Sequence, residues 1–522
     1  MIGILDTVDR SRFAPRRAWG YNAQAVSIHP AQPSQTSWRV SLPLLTFLGL
    51  GMIALLLLAR VQPLWAVLLC AAGGSAVIVW RWPWALPALM LAFTPLYDGI
   101  ARYLTWIAQW PAGQLQLISL WKEGGLLLTA MVLLALHLAG KRRLTMRFYA
   151  FDLWLAAWLL LALLYIVVAA RPGIGIYGLR NYVVPLAFFY LARMMGYTRR
   201  EWLLSVTLLL AVGAGVAAFG IYQARALDFP AMMALGYQDG SGTIPYAFRT
   251  ALRDGFPIPR AVSTTTGPNQ FAVYLNYLLL VCLFGIMHLR RALPRLLLGA
   301  LALLYGVTLL LTLSRGGLLA FLTALAAWAG LLVMQHGVRR SWRELRQNRL
   351  LLGGLILLLV LGTAGVIQSG FATRVLRGLT GRDPAADAHQ SSMAYSIDFI
   401  AARPLGIGMG MVGERALQFA AEAHIEHTES TFFQTAMELG WLGLLLQALV
   451  FAALLQTLWR LRQQRLARGD VLGRVLAELA LIFWLGALAD FVFTPLLQNL
   501  LAAGYLWWAA GVAVSGVRVA NA

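Results

Sequence analysis

Apolar residues in this chain come in long unbroken blocks rather than in alternation. Fourteen blocks are long enough to read as membrane-crossing helices, at 41–59, 63–80, 83–96, 123–140, 150–170, 181–196, 202–224, 268–289, 296–313, 316–335, 350–367, 428–458, 475–491 and 496–517. A barrel would show short segments of period two. The pattern predicts an all-α polytopic integral membrane protein of about 14 transmembrane helices. The third block is short, the sixth carries Pro185, and the ninth and tenth nearly meet at "LSRGG".

The polar remainder sets the topology. Residues 1–40 hold no apolar core and do not read as a cleavable signal peptide, so they are expected to form a cytoplasmic tail ahead of a transmembrane domain at 41–518. With the N-terminus inside, 27 of the 42 basic residues fall on the inner side, as the positive-inside rule requires. An even number of spans then returns the C-terminus to the cytoplasm. Two outer loops stand out by length, 225–267 and 368–427, and the inner loops read as short stretches of basic retention charge.

Composition sharpens this picture. The chain has 522 residues, of which 60% are hydrophobic and 12% charged, too little charge for the surface of a soluble protein of that size. A net charge of +21 would suggest nucleic acid in a soluble protein. Here most of it lies in the inner loops, so membrane lipids are the expected contacts and no nucleic acid is. Cys70 and Cys282 both sit in apolar runs and read as small buried hydrophobes.

Candidate chemistry gathers on the outer side. "EAHIEHTESTFFQTAMELGWLG" begins at Glu422. With a helix starting at His427, the residues His427, Thr431, Gln434 and Glu438 share one face, and Glu438 must turn to the interior or to an aqueous cavity. An ordinary histidine titrates near 6.5 and can accept a proton at neutral pH, with Glu429 or Glu438 to orient it. The bland reading is a loop histidine followed by glutamates that complement the helix dipole. His424 reads as exposed loop, and "EAHIEH" matches no closed zinc pattern, so no metal is expected.

In "LLTLSRGGLLAFL", Arg315 lies at a very short outer turn, where it suits two-pronged phosphate binding or snorkelling to headgroups. Gly316 and Gly317 are expected to let the backbone turn and to leave room for a ligand. Arg253 and Arg260 precede "STTTGPNQ", where Pro268 opens a helix and Asn269 is placed to touch a polar substrate. Tyr177 and Arg180 in "RPGIGIYGLRN" form a further outer cluster. Residues Ser391 to Ala402 read as a short amphipathic helix, and Pro404 with its glycines as a flexible strap that covers the site, holds an acceptor or simply caps the bundle.

"GPNQFAVYL" at 267–275, "LSRGGLLAFL" at 313–322 and "HTESTFFQTAMELGWLGLLL" at 427–446, in this order and membrane setting, resemble the O-antigen ligase and polymerase superfamily of bacterial envelope proteins. The resemblance covers roughly 260–450. It implies a multi-pass inner-membrane glycosyltransferase of lipopolysaccharide or exopolysaccharide biosynthesis. Such an enzyme takes a glycan from an undecaprenyl diphosphate carrier at the periplasmic face, with neither metal nor cofactor. His427 corresponds to the family's essential histidine, Arg315 to its SRG arginine, and Arg260 to its further arginine. Where the family often has His-Asn this chain has His427-Thr428, so the asparagine's role does not carry over.

The expectation is a polymerase that extends carrier-linked repeat units, inverting at the anomeric carbon, with a growing polysaccharide as acceptor and a chain-length regulator as a possible partner. The alternatives are a ligase that transfers the glycan to lipid A core and a transporter of lipid-linked glycan. A transporter predicts paired discontinuous helices near the membrane middle.

Overall fold

The computed structural model describes residues 63–141, 144, 146–238, 242–251, 257–337, 353, 384–413, 416–421 and 423–515. The expected spans 41–59 and 350–367, the tail 1–40 and Arg253 lie outside the described residues. Each of the other twelve expected spans coincides with a helix.

In chain order these are α1 (Pro63–Arg81), α2 (Ala85–Arg102), α3 (Ala112–Ser119), α4 (Trp121–Leu138), α5 (Ala150–Leu164), α6 (Pro172–Met195), α7 (Arg199–Ala226), the short α8 (Phe229–Ala234), α9 (Pro268–His288), α10 (Ala292–Leu311), α11 (Arg315–His336), α12 (Pro384–Ala402), α13 (Thr431–Ala467), α14 (Val471–Phe491) and α15 (Leu500–Ser515). Among the described residues, eight helical stretches are long and apolar enough to cross a membrane. Within the loop at 225–267 lies a minimal antiparallel pair, β1 (Arg249–Ala251) and β2 (Pro257–Pro259), the one strand pair among the described residues apart from an isolated bridge between Val412 and Glu426. The protein is an all-α polytopic membrane protein.

Helix α9 lies at the centre and the stretch Gly113–Leu138 at the periphery: 83% of the α9 span is buried against 17% of the other. Small residues let the inner helices approach closely. A Cβ on Gly511 of α15 would lie 2.4 Å from the Phe189 carbonyl of α6, and one on Gly486 of α14 would lie 2.6 Å from the Ala320 carbonyl of α11.

Contacts sort the loops into two ends. One end gathers Arg102, the loop before α9, the turn at 312–315, α12, the segment entering α13 and the segment leaving α14. At the opposite end Trp508 meets Tyr197 and Arg465 reaches the Ala513 carbonyl. Several arginines at that end, expected as exposed retention charge, are instead buried. Arg193 grips Asp152 with both Nη atoms, at 2.7 and 3.0 Å, and Arg462 pairs with Glu478 at 2.9 Å. A basic loop next to a bundle finds carboxylates inside it, which strip positions alone do not reveal.

The long α13 folds back on itself at Gly440: Gln447 donates to the Thr435 hydroxyl at 2.8 Å and the Phe432 and Phe451 rings lie 6.4 Å apart, so the part before Gly440 runs alongside the part after it.

Candidate functional site

The arginine side of the site begins with Gln223 on α7, which is fully buried. Its side-chain oxygen accepts the amides of Val262 and Ser263, and its nitrogen donates to the Arg260 carbonyl. Arg102 clamps the same segment from α2, donating to the carbonyls of Thr265 (2.6 Å) and Ser263 (3.1 Å). Its guanidinium lies 4.4 Å from the Tyr237 ring centre, and Tyr237 donates its hydroxyl to the Ser263 carbonyl. Burial raises the Tyr237 phenol above its usual value, with Arg102 acting in the opposite sense. The loop before α9 is thus fixed from several sides.

Held this way, Arg260 donates from Nε to the Thr312 carbonyl (2.8 Å), from Nη1 to the Ala247 carbonyl (3.0 Å) and from Nη2 to Oδ1 of Asn269 (3.2 Å). The amide of Ala261 donates to the Leu311 carbonyl. The "PRAV…GPN" and "LTLSRGG" segments, 50 residues apart in sequence, are one structural unit. Ser314 caps α11 by accepting the Gly317 amide, and Arg315, the first helical residue, is exposed.

The two following glycines do not make the turn, contrary to expectation: both are inside α11. A Cβ on Gly316 would lie 2.2 Å from Oδ1 of Asp490, and one on Gly317 would lie 2.4 Å from the Ala272 Cβ. They are glycine because α14 and α9 press against the start of α11. Asp490 is fully buried there and accepts the Thr494 hydroxyl at 3.0 Å.

The histidine side also departs from the expected stripe. Helix α13 begins at Thr431, capped by Ser430, so His427 is not helical. Residues 424–430 are extended and alternate: Glu426, Thr428 and Ser430 are buried, His427 is exposed and Glu429 half-buried. Among the described residues the His427 imidazole makes no hydrogen bond.

Thr431, Gln434 and Glu438 keep their common face but turn it inward. Gln434 donates to the Val412 carbonyl at 2.9 Å, and Glu438 lies 3.4 Å from both the Tyr182 hydroxyl and the Gln498 amide nitrogen. The rule that a membrane carboxylate faces the interior holds for Glu438; its nearness to His427 does not follow, because the helix starts four residues late. The turn after α14 links the two sides. Ser430 donates to the Phe491 carbonyl and Thr431 to that of Thr494, while Asp490 touches Gly316.

The glycine-rich strap is packed, not loose. At Gly440 (φ 69°) α13 breaks, and the strap supplies the missing partners. The amides of Ile407 and Gly408 donate to the carbonyls of Met437 and Glu438, and Trp441 donates to the Pro404 carbonyl. Further along, Met409 donates to the Tyr165 carbonyl, and Glu426 exchanges backbone bonds with Met411 and Gly413. Helix α12 docks beside His427 through Ser396, whose hydroxyl is 3.0 Å from that of Thr428, and through Tyr395, whose hydroxyl bonds Glu426. The threonine that stands where an asparagine is usual thus has a partner of its own.

Two proposed side chains lie apart. Arg180 pairs with Glu123 at 2.6 Å, and Tyr177 packs edge-on against Phe419 at 5.2 Å. Sequence reasoning missed Arg102, Gln223 and Asp490, and it read "EAHIEH" without assigning Glu426 a role. The first lies beyond the apparent end of its apolar block, and Gln223 and Asp490 are single polar residues with no local motif. Among the described residues no three His, Cys, Asp or Glu side chains converge as metal ligands.

Residues 300–448 match the family model described as Wzy_C, O-antigen ligase. This segment belongs to the O-antigen ligase and polymerase superfamily. The O-antigen ligase segment runs from α10 into α13 and so contains Arg315, α12, the strap and His427. Arg260 and Asp490 lie outside it and meet it at Thr312 and Gly316, and Asn269 is joined to it through Arg260. No curated protein matches the chain.

Proposed function

We propose that the protein is a glycosyltransferase working at the outer face of the bacterial inner membrane, with both termini cytoplasmic, on an undecaprenyl-diphosphate-linked glycan. The observation that carries this reading is the Arg260–Thr312 bond, which joins one arginine to the turn that presents the other inside an O-antigen ligase segment. Arg260 and Arg315 bind the diphosphate and offset the charge that builds on it as the sugar–phosphate bond breaks.

His427, exposed and outside the helix, takes the proton of an acceptor hydroxyl. That oxygen attacks the anomeric carbon, and undecaprenyl diphosphate leaves with the bonding electrons, so a single displacement inverts the centre. Asn269 orients Arg260. Glu438 and Gln434 support the strap, and Glu429 flanks the histidine. The chemistry needs no metal or cofactor.

Two flanks enclose the site, the loop before α9 and the α12–strap unit, and this favours a polymerase with a carrier-linked donor and a growing chain as acceptor. The description of the matched family favours a second reading, transfer to lipid A core. Purified protein supplied with native carrier-linked glycan separates them: ladders of lengthened carrier-linked product mean a polymerase, and product on lipid A core means a ligase. Full transfer by folded His427→Ala or Arg315→Ala protein would overturn both.

A further inference from the structure

Tyr395 is an exposed aromatic residue on a polar helix beside the histidine. It is 46% exposed, yet its one polar atom is occupied: the hydroxyl donates to the carboxylate of Glu426, which is 7% exposed and held by two backbone bonds to the strap. The bond to Glu426, with some burial, raises the Tyr395 phenol above its usual value, so it stays a donor. What Tyr395 offers outward is therefore its ring face, held at a fixed angle.

Its place is fixed on both sides of His427. Tyr395 bonds the residue before the histidine, and Ser396 bonds the residue after it. Its surroundings are polar as well. His424 and His427, next to Glu426 and Thr428, are both exposed on non-helical backbone, which does not face hydrocarbon, so the neighbour there is water and glycan, not acyl chain.

We propose that the Tyr395 ring is a sugar-stacking subsite for the glycan beside His427, oriented by Glu426. A pyranose presents one face of C–H bonds, which suits the electron-rich face of an aromatic ring, and its hydroxyls stay in water. Tyr395 binds through its ring and is not catalytic, and Glu426 acts as a positioning residue. This rests on the glycosyltransferase reading and adds to it a contact with sugar instead of diphosphate or lipid.

The test uses full-length protein in detergent, with native carrier-linked glycan as substrate and glycan-free undecaprenyl diphosphate as inhibitor. Tyr395→Leu should raise KM for the glycan about tenfold, leave kcat within about twofold and leave inhibition by the bare carrier unchanged. Tyr395→Phe keeps the ring and loses the hydrogen bond, so its KM should rise by no more than about threefold. If the leucine protein does not fold, Tyr395→Gln, which can still reach Glu426, asks the same question. An unchanged KM in the ring-less variants, with His427→Ala inactive, overturns the subsite and leaves the transfer reading standing. Equal weakening by bare carrier and glycan also overturns it, because the contact would then be to the carrier. Full transfer by His427→Ala would instead strike the glycosyltransferase reading itself.

Discussion

Arg260 and Thr312 are joined by a 2.8 Å hydrogen bond from guanidinium to carbonyl, across 52 residues of sequence. The same guanidinium fork holds Asn269 and Ala247, a geometry that lysine's single ammonium cannot reproduce. Arg260→Lys should therefore behave almost as badly as Arg260→Ala, with glycan transfer falling about 10²–10³-fold. Initial rates with carrier-linked glycan check this. A lysine protein with near-normal rates would show that charge alone suffices there.

The break in α13 depends on a glycine. Gly440 has φ 69°, and a Cβ there would lie 2.5 Å from the Pro404 carbonyl oxygen. Gly440→Ala should lose about 2 kcal/mol or more of stability, read as a lower melting temperature in detergent. Gly215→Ala is the control, because nothing lies within 4 Å of its added carbon in the middle of α7. It should be neutral or slightly stabilising.

Glu438 is buried between Tyr182 and Gln498. Glu438→Gln keeps hydrogen-bonding atoms in place and should fold normally. Glu438→Ala leaves both neighbours without this partner and should cost about 1–3 kcal/mol, measured by thermal unfolding. A glutamine protein as unstable as the alanine one would mean that the charge itself is needed.

At the opposite end, the two-pronged Arg193–Asp152 pair is buried, with side-chain exposures of 2% and 8%. Asp152→Asn leaves a buried guanidinium without its counter-charge and should cost about 3–5 kcal/mol. Arg193→Met combined with Asp152→Asn should recover part of that loss. A double-mutant cycle of melting temperatures checks the coupling.

The Tyr395–Glu426 bond carries a pH signature. The Tyr395 phenol is raised when folded, so the folded state holds that proton more tightly. Its contribution is full below the unfolded phenol value, near 10, and is lost as pH rises through the folded value. Proteolysis within residues 384–402 should accelerate in that alkaline range in the parent. Tyr395→Phe should show faster cleavage already at neutral pH and less alkaline dependence.

Much of the fold was legible because membrane helices declare themselves by block length. Twelve expected spans lie on described helices. The candidate site was legible where a motif sits at a helix start, as at Pro268 and Ser314. It was misread where the backbone leaves helix: the His427 stripe assumed a start four residues too early, and Ser430, a capping residue, was the available signal. Gly316 and Gly317 were read as turn glycines, though close approach by Asp490 and Ala272 explains them, and such contacts are invisible to local pattern. Arg180 was read as part of a supporting cluster for the site because its partner, Glu123, is 57 residues away.

The strap's bond from Met409 to the Tyr165 carbonyl also bears on how the protein is made. Tyr165 enters the membrane long before Met409 is synthesised, and the partners of Ile407 and Gly408 on α13 come later still. Until then the Tyr165 carbonyl has only the Ala169 amide as its partner. The strap therefore closes onto α5 and α13 only after α13 has been made, and the surroundings of His427 are among the last parts of the chain to assemble.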